Sequence, residues 1–300
     1  MRHNLSLILG LLLVASLGAC SIHFGQTARS KVTSFTQSIQ HVSDAPVEIR
    51  TRNGSVDIAA EQSLDAVSIE AKIVCGGKTK AEAEERVAQA SLTVIRRADQ
   101  SLLIAPSFPG GPQNGDGASI WVKLPDARGV EIYTSNGSVS SSGLTGEIVI
   151  DTSNGRVELA DHHGTATIET SNGRVIVRHL LGDLHADTSN GPIEVIDLAG
   201  SANLDTSNGS VFVSLASGQA GPIIADSSNG PITVKVGPTF VGTVTMDTSN
   251  GPIIVDDPVG VITSRRMHKS EGRLVVGEGG ATTRLDTSNA AIKFIIQSEG

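Results

Sequence analysis

The sequence predicts an all-β fold: a parallel β-solenoid of 18–21-residue rungs, preceded by a small N-terminal β/α segment. The first observation behind this is a repeat. Thr-Ser-Asn-Gly stands at Thr134–Gly137, Thr152–Gly155, Thr170–Gly173, Thr188–Gly191, Thr206–Gly209 and Thr248–Gly251, with variants at Ser227–Gly230, Lys269–Gly272 and Thr287–Ala290. Successive copies are 18, 18, 18, 18, 21, 21, 21 and 18 residues apart, and a fixed period of this size marks a repeat architecture. The second observation is alternation. Ile148 and Ile150 alternate with Glu147 and Val149 before one turn, and Val157 and Leu159 alternate after it, so each unit reads strand, turn, strand. The third is a set of apolar columns. With each Asn as position zero, position +3 reads Val139, Val157, Val175, Ile193, Val211, Ile232, Ile253, Leu274, Ile292, and position −4 reads Ile132, Ile150, Ile168, Ala186, Leu204, Ala225, Met246, Met267, Leu285. No single unit can bury such a face, but a stack can.

The elements follow in order. Residues 1–19 hold Arg2, an apolar run from Leu5 to Leu17 and then small residues, the pattern of a secretory signal. Leu17-Gly18-Ala19-Cys20 resembles the lipobox of bacterial lipoproteins, which implies cleavage before Cys20 and acylation of that cysteine. Ser21 after it implies an outer-membrane destination if the host has two membranes. Residues 20–45 are rich in Ser, Thr and Gln and read as a tether. Residues 46–125 form the N-terminal β-rich segment. Asn53 sits in an early copy of the unit, with Ile49, Val56 and Ile58 in the core columns. Val67–Cys75 reads as a strand with a buried, inert thiol at its end. Thr79-Lys80-Ala81-Glu82 has the form of a capping box before a helix over Ala81–Ala90 that is placed to cover one end of the stack. Strands over Leu92–Ile95, Ser101–Ala105 and Ile120–Leu124 surround a loop at Pro106–Gly117. Residues 126–300 are the repeat solenoid.

Within the array, Asn136, Asn154, Asn172, Asn190, Asn208, Asn229, Asn250 and Asn289 are expected to form a structural ladder of amides, each bonding the next. The Thr column at −2 forms a polar layer beside the turn. The turn Gly is expected at positive φ. Ala290, in the last copy, reads as an atypical terminal cap.

The composition narrows the function. The formal net charge is −8, with one Trp and one Tyr, which argues against nucleic acid as a partner. No Ser/His/Asp pattern, phosphate loop or cofactor motif occurs, so no catalytic residue, cofactor or metal site is expected. His162, His163, His179 and His185 fall at +8, +9, +7 and +13, so no two share a column. Arg156 and Arg174 share column +2 as solvated charges. Position −3 reads Asp151, Glu169, Asp187, Asp205, Asp226, Asp247, His268, Asp286. Each carboxylate is expected to bond the N–H groups of its own turn; the other reading is a stripe that binds Ca²⁺ or a cationic surface.

Asp-Thr-Ser-Asn-Gly followed by alternating Val or Ile, together with the early Asn53 unit, the short helix and Leu124-Pro125 entering the repeats, resembles the bacterial putative-adhesin family over residues 46–300. The resemblance implies a β-solenoid on the cell envelope and supplies no catalytic residues. The expectation is a lipid-anchored, non-enzymatic adhesion, binding or structural scaffold, held to the membrane by its lipid and facing an envelope or surface ligand. The alternative is a carbohydrate-active β-solenoid enzyme. An enzyme would show a cleft of exposed polar residues that break the column pattern on adjacent rungs.

Overall fold

The computed structural model describes residues 30–298; Cys20 and the signal segment lie outside the described residues. The repeats form a stack in which each rung gives one strand to each of two parallel ladders. One ladder runs through Leu102–Ser107, Val47–Arg50, Arg128–Thr134, Thr145–Thr152, Ala166–Thr170, Leu184–Thr188, Ala202–Thr206, Ile223–Ser227, Ala281–Thr287 and Gly242–Thr248. The second runs through the strands that follow each turn, from Gly117–Leu124 to Ile253–Asp256. At about 4.8 Å per step the stack is roughly 43 Å long. The apolar columns meet in its centre: Ile150, Ile168, Val157, Val175 and Val195 are all fully buried.

The stack does not follow chain order at either end. The rung carrying Asn53 lies second, because the chain leaves it, folds an insertion, and lays Leu102–Ser107 and Gly117–Leu124 outside it. The other end mirrors this. After the Asn229 rung the chain skips one position and forms the Asn250 rung at the end. It then returns to insert the Asn289 rung in the gap. Ala290 is therefore not in a terminal cap. Phe240, from the skipping segment, packs edge-on against Phe294 of the inserted rung at 5.8 Å between ring centroids.

Lys269–Gly272 is not a rung turn. It closes an antiparallel hairpin between Ile262–Met267 and Glu271–Val276, and the latter strand pairs antiparallel with Gly242–Thr248. Leu274 and Val276 still face the core. Alternation with period 2 specifies a face but is blind to strand direction, so this hairpin satisfied the columns. Glu271, which holds the Asn place in the sequence repeat, lies opposite Asp247 and outside the amide ladder.

At the N-terminal end, Ser30–Gln40 is a strand paired along its length with Ala66–Gly76, which itself pairs antiparallel with Gly117–Leu124. The tether expected over 20–45 thus gives way to sheet from Ser30. Its inward positions, including Thr33, Phe35 and Ile39, pack on the core side while polar neighbours face out. So few apolar residues gave no strand signal. The helix spans Lys80–Gln89 and buries Ala83, Arg86 and Val87. Thr79 accepts from the Glu82 N–H, and the Glu82 side chain accepts from the Lys78 N–H rather than from Thr79. The helix lies on the Ser30–Gln40 and Ala66–Gly76 pair. Antiparallel strands, not the helix, terminate the parallel stack there. Among the described residues no helix is long and apolar enough to cross a membrane.

The turn glycines from Gly137 to Gly251, unlike Gly54, do not have positive φ and are required for another reason. A Cβ on Gly173 would lie 1.8 Å from the Gly155 carbonyl oxygen of the preceding rung. Gly173→Ala is expected to lower stability by about 2 kcal/mol or more, as overpacking of a fixed backbone does. Gly237→Ala, where an added Cβ meets nothing within 4 Å, is expected to stay within about 0.5 kcal/mol of wild type. Chemical denaturation of both variants checks this, and equal midpoints would refute the stacking constraint.

Candidate functional site

Three exposed features are candidates: the edge formed by the Asn-Gly turns, the carboxylate stripe beside it, and a cleft at the N-terminal shoulder. The turn edge is one continuous line. Asn136 Nδ2 donates to Asn53 Oδ1 at 2.6 Å and Asn154 donates to Asn136 at 2.7 Å. Asn172, Asn190 and Asn208 each donate to the preceding Asn at 2.8 Å. Asn229 donates to Asn208 and Asn289 to Asn229 at 2.9 Å, and Asn250 donates to Asn289 at 2.8 Å. Asn53 donates to the Asp116 carbonyl at 2.6 Å, which ends the line. Every donor points toward the N-terminal end of the stack, so the amide dipoles add and polarise one another. Beneath the ladder, Thr206 Oγ1 donates to the Gly191 carbonyl at 3.1 Å and accepts from the Gly209 N–H at 3.0 Å. Thr188 does the same one rung earlier.

The acids at −3 do not cap their turns. The turn N–H groups bond the preceding rung instead: Asn172 N to Ser153 O and Asn190 N to Ser171 O, both at 3.0 Å. Asp151, Glu169, Asp187, Asp205, Asp226, Asp286 and Asp247 follow one another on adjacent strands. Arg284 reaches both oxygens of Asp226, at 3.0 and 3.2 Å. Partial burial, with Asp187 and Asp226 on either side, pushes the Asp205 carboxyl up. Burial with Asp226 and Asp247 does the same to Asp286. His268 leaves the stripe with its hairpin, opposite Glu271.

The histidines separate into unrelated places. His162 is buried with Nε2 3.0 Å from the Gly146 carbonyl, and burial pushes its pKa down. His179 lies between Asp161 and Asp197, with ring nitrogens at 3.1 and 3.4 Å. These three residues share column +7, all at positive φ between 51° and 56°. The column is legible in the sequence as acid, His, acid at an 18-residue spacing. Each ring nitrogen already faces its own carboxylate. Among the described residues no group of three or more His, Cys, Asp or Glu is arranged to hold a metal ion. Arg156 pairs with Glu158 and Arg174 with Glu194 on the surface.

Ser101 and Ser201 donate their hydroxyls to Asp99 at 2.7 Å and Asp183 at 2.6 Å, but bonds from the serine hydroxyl and N–H hold each of these carboxyls low, which makes them weak bases. His41, Ser43 and Asp126 come together, but His41 and Ser43 both bond Asp126, at 3.1 and 3.4 Å, rather than each other. The Asp44 N–H adds a 2.7 Å bond, so Asp126 clasps the turn after Ser30–Gln40. Cys75 is fully buried, and burial, with Asp116 nearby, pushes its thiol to about 11, which makes it inert. Asp116 is itself buried in a fork from Arg86, with both bonds at 2.8 Å, and accepts from the Gly76 and Gln113 N–H groups. Burial alone would raise the Asp116 carboxyl; these donors outweigh it and hold the carboxyl low.

The shoulder cleft, about 580 Å³, lies between the Arg97–Ser101 turn, the Arg128–Gly129 link and the Gly146–Glu147 corner. In it Arg97 bonds Glu48 at 2.6 Å. Arg50 bonds the other oxygen of Glu48 and lies 5.0 Å over the Tyr133 ring. Tyr133 O–H donates to Glu131 at 3.0 Å. Burial would raise the Glu48 carboxyl, but the Arg97 and Arg50 bonds win and hold it low.

No family model and no curated protein matches the sequence. Solved structures do resemble it. A crystal structure of a putative adhesin from Bacteroides fragilis is 14% identical and superposes with a TM-score of 0.50, over 87% of this chain and 97% of that one. Putative adhesins from Parabacteroides distasonis and Parabacteroides merdae align over 87% and 89% of this chain at 9% and 12% identity, covering 97% and 96% of those chains. Their TM-scores of 0.32 and 0.29 are too low to argue from. The chain shares the β-solenoid fold of the Bacteroides fragilis protein.

The stripe generates a prediction with a sign. A carboxyl raised in the folded state binds its proton more tightly there than in the unfolded chain. The penalty is therefore present above the folded pKa and vanishes below the unfolded one. Asp205→Asn is expected to raise stability at pH 7 by roughly 0.2–1 kcal/mol, the size of a cross-strand like-charge pair. The gain should fade as pH drops through the carboxylate range. Thermal melts of both proteins between pH 7 and pH 3 check it; a loss of stability at pH 7 would show that Asp205 has a bonding role after all.

Proposed function

We propose that the chain is a lipid-anchored, non-enzymatic scaffold of the cell envelope, acting in adhesion or binding through a rigid rod. The observation that carries this reading is that the repeated polar residues hold the rod together. The Asn and Thr columns bond rung to rung, the carboxylates that accept from Ser101 and Ser201 are held low and so are weak bases, and the Cys75 thiol is buried and held protonated. Acylation at Cys20 would leave the N-terminal end of the stack facing the membrane and the Asn250 end away from it.

The enzyme alternative has one observation in its favour. The shoulder cleft gathers carboxylates on adjacent rungs: Glu48 and Glu131 stand side by side where later rungs carry Val149, Thr167, His185, Asn203 and Ile224. Glycoside cleavage needs a carboxylic acid kept protonated. Glu48 is held ionised by two guanidiniums. Glu48 is thus equipped to order its arginines rather than to act as that acid.

The full chain expressed in a bacterial host should enter the detergent phase on partitioning and carry an acyl mass, while Cys20→Ser should stay aqueous. Beads coated with the mature protein should be retained on isolated cell envelopes above albumin-coated beads. A wild-type protein that stays aqueous without acyl mass would sink the anchor. Retention no better than albumin would sink the adhesive role.

A further inference from the structure

The N-terminal insertion does more than end the stack. Its hairpin turn brings Arg97 over the outer face of the Asn53 and Asn136 rungs, and the link out of the insertion brings Arg128 to the other side. Gly129 and Gly146, at φ of 95° and 86°, turn the backbone away at the corner between them. Register is shifted between Thr145 and Ile148 at the same place. The regular corner is opened there into a cleft, within the range of small-molecule sites.

Its lining has a definite chemistry. Arg97, Glu48 and Glu131 line it, and Arg50 and Tyr133, outside the lining, join Glu48 to Glu131 in a connected series in which each side chain is held by the next. Such a series is ordered before any ligand arrives, which lowers the entropy cost of binding. Glu48 is answered by its two arginines, and Asp99 is taken by the Ser101 hydroxyl and N–H. Glu131 and Glu147 remain as acceptors, with Arg97 and Arg128 as donors, over a wall of Pro46 and Val149. An anion would meet these carboxylates and a cation would meet the guanidiniums. A neutral polyol suits both, because each hydroxyl donates and accepts, while the C–H face of a pyranose suits an apolar wall.

We propose that this shoulder cleft is a binding site for a neutral saccharide, with sugar hydroxyls bridging the Glu131 and Glu147 carboxylates to the Arg97 and Arg128 guanidiniums. This rests on the scaffold reading and names the ligand class of that scaffold.

The test is calorimetric titration of the intact mature protein with maltose, cellobiose, lactose and chitobiose, beside digalacturonate and CaCl₂. At least one neutral disaccharide should bind. Glu131→Gln and Glu147→Gln should each weaken it about tenfold, the loss of one charge-assisted hydrogen bond. Both side chains are exposed, and unchanged melting temperatures should show that the variants fold. Asp187→Asn, on the distant stripe, should bind as wild type. The site is overturned if none of the four disaccharides binds. It is equally overturned if both shoulder variants bind undiminished, or if digalacturonate or Ca²⁺ binds there more tightly than every neutral sugar. Release of reducing ends that both shoulder variants abolish would support the site and refute the scaffold. Envelope retention of coated beads without any sugar binding would refute the site and leave the scaffold standing.

Discussion

The structure depends on how closely one Asn-Gly turn can sit on the next. At Gly173, Gly191 and Gly209 the carbonyl oxygen of the preceding rung lies where a Cβ would be, 1.7–1.8 Å away. A glycine there lets the turns approach to hydrogen-bond distance without displacing that carbonyl; in the Asn289 rung the turn accommodates the single methyl of Ala290 and still bonds Asn229 and Gly230, at 2.9 and 3.1 Å. Once they do, three bonds form per step. The Asn amide reaches the next amide, the Thr hydroxyl reaches the glycine carbonyl, and the turn N–H reaches the Ser carbonyl. The strands on either side are then held in register, and the Val, Ile and Leu columns superpose without further specification. The same constraint stacks the acids of the −3 column on one another. Burial first, and then mutual repulsion, raise the carboxyls of Asp205 and Asp286, a cost of regularity that the core and the ladder offset.

A stack of parallel strands has two open ends, and open edges invite pairing with other chains. Here each end is turned by antiparallel strands: Ala66–Gly76 against Gly117–Leu124 at one end, and Glu271–Val276 against Gly242–Thr248 at the other. In both cases the terminal rung of the sequence lies one place inside the stack. The Asn53 rung and the Asn289 rung are each sandwiched between neighbours. At the far end Ile253–Asp256 keeps one unpaired side, but it is short and is followed by Asp257 and Pro258, which blunt an edge.

Regularity and recognition are in tension along the rod. A column that repeats on every rung presents the same chemistry at every step, so a distinct site needs a departure from the period. The shoulder supplies one. Glu48 and Glu131 are the carboxylates of an outward column that continues as Val149, Thr167, His185, Asn203 and Ile224 before Arg284, and the insertion adds Arg97 and Arg128 above them. The histidines do not make such a site. His162 fills a buried corner, and His179 is bracketed by two aspartates.

The sequence by itself determined the repeat, the turn, the core faces and the amide ladder, because each is set by residues at fixed spacing within a rung. It also placed the helix and its Thr79 cap. It could not determine the order in which rungs stack, since a period states how long a rung is and not which rung lies beside it. It could not distinguish the Lys269–Gly272 hairpin from a rung, because alternation carries no direction. It left Ser30–Gln40 without a strand signal, because the apolar content there is low and pairing with Ala66–Gly76 supplies what composition does not. The −3 acids read as turn caps by local preference, yet the N–H groups they were to meet are bonded to the rung below, a partner 18 residues away. The shoulder cleft belongs wholly to the tertiary structure: Glu48, Arg97, Arg128 and Glu131 are scattered in the chain and meet only because an insertion folds back over the first rungs.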